Sequence, residues 1–166
     1  SIPANVIAID DSMPLSCHRV QSIEVDPNNH SFCSIDGVLY SHNVDQLIWY
    51  PGWHLNLTYQ IPLSVRKISH FAFFHCDYLQ SINVEPEHSH FASSDGILFT
   101  KDLKTLLRFP PSHEFTSYTI PTSVTSIASC AFYFCDGLKS ITIPTSVTFI
   151  GDYAFSYCQN IELIYI

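Results

Sequence analysis

The chain repeats itself, and that constrains its fold more than any other feature. The segment Ile143-Pro144-Thr145-Ser146-Val147-Thr148-Phe149-Ile150 restates Ile120-Pro121-Thr122-Ser123-Val124-Thr125-Ser126-Ile127, 23 residues upstream. The match runs on through Ala154-Phe155 on Ala131-Phe132, Cys158 on Cys135 and Ile161 on Leu138. The same frame returns as Ile61-Pro62, Val65, Ile68, Ala72-Phe73, Cys76, Leu79 and Ile82, 59 residues before the Ile120 copy. It returns again, in weaker form, as Ile2-Pro3, Val6, Ile9, Cys17, Val20 and Ile23. The longer step holds a second shared segment. Asp36-Gly37-Val38-Leu39-Tyr40 aligns with Asp95-Gly96-Ile97-Leu98-Phe99, and Leu47-Ile48-Trp49-Tyr50-Pro51 with Leu106-Leu107-Arg108-Phe109-Pro110. Pro27, Phe32, His54 and Tyr59 keep the same register with Pro86, Phe91, His113 and Tyr118. The 59-residue unit is one short repeat plus an elaboration.

One such unit cannot bury its apolar face alone, so units stack, and each adds a strand to a parallel sheet that runs along the stack. The proline after each Ile (Pro3, Pro62, Pro121, Pro144) fixes φ and removes a donor, which suits the corner where a strand leaves the sheet. The Ala-Phe pairs read as a small residue for close coil contact beside a large wedge. The first copy carries Met13-Pro14 there instead, which predicts a looser or terminal coil. The apolar runs Gly37–Tyr40 and Gln46–Tyr50 flank polar Ser41–Asp45 and read as a β-hairpin, with Gly96–Phe99 and Thr105–Phe109 as its equivalent.

A period of 23 lies within the roughly 20 to 29 residues of leucine-rich repeats, and Leu79-x-x-Ile82-x-Val84 has the shape of their strand segment. The pattern I-P-x-S-V-x-x-I-x-x-x-A-F-x-x-C-x-x-L-x-S-I resembles the BspA-like repeats, also called the Treponema pallidum type, over nearly the whole chain. The resemblance implies a right-handed leucine-rich-repeat superhelix. This is a solenoid, mostly β with a parallel sheet, with short irregular or helical outer segments and β-hairpin elaborations. The expected organisation is a single domain over 1–166, part of a longer array, with short repeats starting near 2, 61, 120 and 143 and elaborated segments at about 26–60 and 85–119. The resemblance also implies a cell-surface or secreted protein that adheres to host matrix or cell-surface proteins, and it carries no catalytic residues to transfer.

Composition narrows the partners. With 7 Lys plus Arg against 15 Asp plus Glu, the net charge of -8 repels phosphate, so nucleic acid is excluded as a partner. No apolar run approaches the roughly 20 residues that cross a bilayer, and Ser1–Ile9 lacks the regions of a signal peptide, so no membrane insertion is expected within this chain. No cofactor is implied.

Four of six cysteines (Cys17, Cys76, Cys135, Cys158) share one repeat position, which points to an inward structural ladder of free thiols. Cys33 and Cys130 lie outside it, and no C-x-x-C spacing accompanies them. Of nine histidines only His54 and His113 share a register, as turn histidines would; His88-Ser89-His90 and the His70/His75 pair do not recur with carboxylate or Cys partners, so no metal site is expected. No nucleophile elbow or phosphate loop is present, and no enzymatic role is expected. Two sequons, Asn29-His30-Ser31 and Asn56-Leu57-Thr58, fall in the elaborated segment, where surface loops are expected.

Aromatic residues carry the sharper signal. Tyr50 matches Phe109, yet Trp49 matches Arg108 and Trp53 matches Ser112. A strand face that accepts Arg108 as well as Trp49 reads as exposed, and Trp with Arg is the usual composition of a binding hot spot. The alternative is that both Trp residues cap the small core of the elaborated coil. The strand positions between inward residues, Gln21, Ser22, Glu24, Gln80, Ser81, Asn83, Lys139, Ser140 and Thr142, form an expected polar sheet surface where such solenoids present a ligand face. The expected partner-binding set is therefore Trp49, Trp53, Arg108, Gln21, Glu24, Gln80, Asn83, Lys139 and Thr142. The competing reading is a structural spacer within a larger surface protein.

Overall fold

The computed structural model describes residues 1–10 and 19–166; Met13, Pro14 and Cys17 lie outside the described residues. The strands are β1 (Phe32–Ile35), β2 (Val38–Ser41), β3 (Gln46–Trp49), β4 (Thr58–Gln60), β5 (Lys67–Ile68), β6 (Ser81–Asn83) and β7 (Phe91–Ser94). They continue as β8 (Ile97–Thr100), β9 (Thr105–Arg108), β10 (Ser117–Thr119), β11 (Ser126–Ile127), β12 (Ser140–Thr142), β13 (Phe149–Ile150) and β14 (Leu163–Tyr165). They group into two compact units, Ser1–Asn56 with Pro62–Tyr78, and Leu57–Ile61 with Leu79–Ile166.

The second unit shows why the 23-residue period makes a solenoid. Ser117, Ser140 and Leu163 stand opposite one another in the parallel set β10-β12-β14, and Leu106, Ile127 and Ile150 do so in β9-β11-β13. Each coil thus contributes one strand to each of two sheets. Between the strands the chain turns through single bonded turns, such as Ala131 N–H to Ala128 C=O (3.2 Å) and Tyr133 N–H to Cys130 C=O (3.1 Å). Among the described residues these outer segments hold no helix, so the irregular form of the expectation applies. Inside, Ile120, Val124, Ile127, Ala131, Phe132, Cys135, Leu138 and Ile141 are buried, each large side chain contributing about 1.5–3 kcal/mol. Phe132 stacks between Phe109 (5.2 Å) and Phe155 (4.9 Å), which is the wedge its repeat position called for. In the last coil the strand positions are more open, Ile150 and Ile164 being 49% and 50% exposed where Ile127 and Ile141 are fully covered, while Ala154 stays buried.

Each unit carries one elaboration, and both are built alike. In the first, β1-β2-β3 is an antiparallel meander whose third strand runs parallel to β5; in the second, β7-β8-β9 leads in the same way to β11. The expected hairpin is β2-β3 and β8-β9. The preceding strand in each meander is additional. It is joined through Asp36-Gly37 or Asp95-Gly96, where both residues have positive φ (50° and 79°, 52° and 75°), the two-residue turn that matches strand twist.

These turns fold back on the repeat. Ile23 N–H donates to the Gly37 carbonyl (2.9 Å) and Ile82 N–H to the Gly96 carbonyl (2.8 Å). A Cβ on Gly96 would stand 2.5 Å from Ser81 Cβ, so only glycine serves there on both conformational and steric grounds.

Candidate functional site

The outward rows are where strand alternation puts them. Ile23, Ile82 and Ile141 point inward and are buried, while their neighbours face out. Gln21 and Glu24 are exposed in the first unit; Gln80 and Lys139 are exposed and Asn83 and Thr142 half-buried in the second. Within the second unit these four do not form one uninterrupted row. Asn83 sits on β6 beside Gln60 of β4, whereas Thr142 sits between Thr119 of β10 and Tyr165 of β14. The Asp95-Gly96 turn takes the backbone bond that a neighbouring strand would otherwise make to β6.

Arg108 is a correction. The strand face it shares with Leu106 is the inward one, and Arg108 is only 3% exposed. Its guanidinium donates to the carbonyls of Cys130 (2.5 Å) and Tyr133 (3.1 Å). The position accepts a cation because an outer turn aims its carbonyl dipoles inward at that point, and a buried charge is tolerable when so bonded. Arg108 is thus buried against the solenoid's own carbonyls, not exposed as the sequence predicts. Trp49, at the matching place in the first unit, is half-buried and packs on the cluster of Ile23, Phe32 and Leu39 with Ile2, Val6, Ile9 and Val20. That is the capping alternative, realised for this one tryptophan.

Trp53 behaves differently. Its backbone N–H donates to the Val20 carbonyl (2.9 Å), as Ser112 N–H donates to the Leu79 carbonyl (3.0 Å), so the two sites have the same backbone and different side chains. The indole is 36% exposed. Arg19 lies over it with its guanidinium carbon 5.8 Å from the ring centroid, and Tyr78 meets it edge-on at 6.0 Å and 76°. Arg19 and Tyr78 occupy the same repeat position, the one before Val20 and before Leu79, and Tyr78 is half exposed. Neither was singled out above, although Gly137, the match of Tyr78 in the next copy, marks the departure.

Several other polar groups are committed to the fold. His54 Nε2 lies 2.7 Å from the Asp36 carbonyl and His113 Nε2 2.6 Å from that of Asp95, while each Nδ1 accepts a backbone N–H, from Asn56 and Phe115 respectively (both 3.2 Å). This bonding calls for the neutral ring with its proton on Nε2. His88 is buried, and its Nδ1 accepts from His90 and Phe91 N–H (both 3.1 Å), just as Asn29 Oδ1 accepts from Ser31 and Phe32 (both 2.8 Å). Asn29 also donates from Nδ2 to the Pro3 (2.8 Å) and Val6 (3.0 Å) carbonyls and is buried, which corrects its placement on a surface loop; Asn56 is exposed.

The cysteines of the described residues are free thiols. The ladder members bond outer carbonyls: Cys76 to Phe73 (2.8 Å), Cys135 to Phe109 (3.6 Å) and Cys158 to Phe132 (2.8 Å). Burial pushes the Cys33 and Cys130 thiols up; a hydrogen bond from Cys135 holds that of Cys158 below the ordinary thiol range. Burial likewise pushes the Tyr118 hydroxyl up to about 12. Among the described residues no group of three or more His, Cys, Asp or Glu side chains converges as metal ligands do, and no helix is long and apolar enough to cross a membrane.

Comparison with known proteins matches this geometry. The family described as BspA type leucine rich repeat region matches residues 54–95 and 108–166, in six copies. Among solved structures, the pneumococcal vaccine antigen PcpA superposes over 99% of this chain with a TM-score of 0.68 at 23% identity. A leucine rich cell surface protein from Faecalibacterium prausnitzii covers 90% at 28% identity with a TM-score of 0.55. A leucine-rich repeat protein from Eubacterium ventriosum covers 72% at 19% identity with a TM-score of 0.54. The chain spans 38%, 42% and 41% of these three proteins respectively. No curated protein matches the sequence closely enough to count as a relative. With the family matched over well over half of its length, the chain belongs to the BspA type leucine-rich-repeat family.

Proposed function

We propose that this chain is a non-catalytic protein-binding module of a cell-surface or secreted protein, adhering to host matrix or cell-surface proteins. The observation that supports this most is the exposed Arg19, Trp53 and Tyr78 cluster. It stands on a backbone that the second unit copies with Ser112 and Gly137, so the scaffold does not require those side chains. Trp, Tyr and Arg are the residues that dominate binding energies at protein interfaces. The outward residues Gln21, Glu24, Gln80, Asn83, Lys139 and Thr142 supply a polar surface suited to the rim of such a contact.

The test is biolayer interferometry of the purified chain against a panel of matrix and epithelial surface proteins. Alongside it run Trp53→Ser and a Gln80→Arg/Asn83→Arg pair, each checked for folding by its thermal midpoint. Saturable binding that a folded variant loses is the expected result. No saturable binding to any panel member favours the structural-spacer reading instead.

A further inference from the structure

We propose that the Arg19, Trp53 and Tyr78 cluster is a docking site for a protein segment that carries a carboxylate beside an apolar side chain; this rests on the binding-module reading above. Three features of the cluster specify that ligand. The guanidinium carbon of Arg19 stands 5.8 Å from the Trp53 ring centroid, a cation–π contact that keeps a cation beside the indole, and a guanidinium takes a carboxylate bidentately. Trp53 and Tyr78 meet edge-on at 76°, so the two rings form no flat platform of the kind a sugar ring stacks on and instead offer apolar surface to a side chain. Leu55, two residues past Trp53, adds an apolar side chain that is 82% exposed.

Charge makes this choice depend on Arg19. The chain carries a net charge of -8, so its overall field repels an acidic partner, and an acidic side chain is captured only where a cation is placed locally. Arg19 is such a cation. Its counterparts in the following copies are Tyr78 and Gly137, so the charge is particular to this coil and no part of the repeat needs it.

The test selects binders to the intact chain from a yeast-displayed library of random peptides. Enriched peptides should carry Asp or Glu next to an aliphatic or aromatic residue. Trp53→Ser should weaken them at least tenfold, in keeping with the loss of a buried tryptophan anchor. Arg19→Gln should erase the difference between each peptide and its Glu→Gln counterpart, and Arg19→Lys should restore part of that difference. An unchanged thermal midpoint shows that each variant is folded. Peptides that ignore both substitutions, or that bind without a carboxylate, overturn the proposal, as does a selection that enriches nothing. So does Trp53-dependent binding of a carboxylated oligosaccharide in place of peptides. Panel binding lost through Gln80→Arg/Asn83→Arg but not through Trp53→Ser would leave the binding-module reading standing while this site fails; absence of binding in both experiments would end both.

Discussion

The segment from Pro27 to Tyr59 and the segment from Pro86 to Tyr118 have the same Asp-Gly turn, the same histidine bonded to that turn, and the same three-strand meander. Three of the positions at which they differ are the most instructive. Asn29 and His88 are unlike residues doing one job, each accepting two backbone N–H groups at the start of the meander. Trp49 and Arg108 are unlike residues doing two jobs, one packing on a neighbouring cluster and the other capping two carbonyls. Trp53 and Ser112 share a backbone bond, and at the tryptophan Arg19 and Tyr78 gather on the ring. A repeat that tolerates exchange of chemistry on a fixed backbone has its structural needs at the positions that cannot vary. On the proposed binding-module reading, recognition falls at a varying position where the exchange leaves the backbone bond unchanged and adds exposed rings.

The largest effect that would sharpen this contrast is at position 108. Arg108→Ala removes two charge-assisted hydrogen bonds to the Cys130 and Tyr133 carbonyls and the packing of a buried side chain, and should lower stability by about 3 kcal/mol in urea titration. A loss below about 1 kcal/mol would mean that the guanidinium is not structural after all. Gly96→Ala must place a side chain at positive φ against Ser81 and should cost about 2 kcal/mol by the same measurement. The two histidines separate the units next. His113 is buried and His54 half-buried, so His113→Ala should cost about 1–2 kcal/mol and His54→Ala less, whereas equal losses would place the two turns in equivalent surroundings.

The smallest effect is chemical. A thiol held below its usual range ionises at lower pH, so brief iodoacetamide treatment near neutral pH should label Cys158 before Cys33 and Cys130, whose thiols burial pushes up. Mass spectrometry of the labelled chain checks the order, and earlier labelling of Cys130 would contradict it.

Much of this was legible in the sequence, because backbone demands recur with the repeat. The prolines, the Ala-Phe wedge, the cysteine ladder and the His54/His113 register all follow from period alone. The extra strand of each meander was also legible, since Asp-Gly between two short β-rich runs is the strongest local hairpin signal, but Asp36-Gly37 reads just as easily as the start of the next run. Arg108 was not legible as buried. Its hydrogen-bond acceptors are carbonyls more than 20 residues further along the chain, which no local pattern displays. The pairing of Trp53 with Arg19 and Tyr78 depends on coils brought side by side. Only the mismatch of Tyr78 with Gly137 hinted at it.

The central claim is that recognition sits where the first unit departs from the repeat, on a scaffold indifferent to the departure. The double variant Trp53→Ser/Tyr78→Gly gives the first unit the side chains that the second already carries at Ser112 and Gly137, and it tests this most directly. Its affinity for the protein captured in the interferometry panel, measured beside its thermal midpoint, should fall about thirtyfold or more while the midpoint stays within a few degrees. Unchanged affinity in the folded variant, or collapse of the fold, would contradict the account.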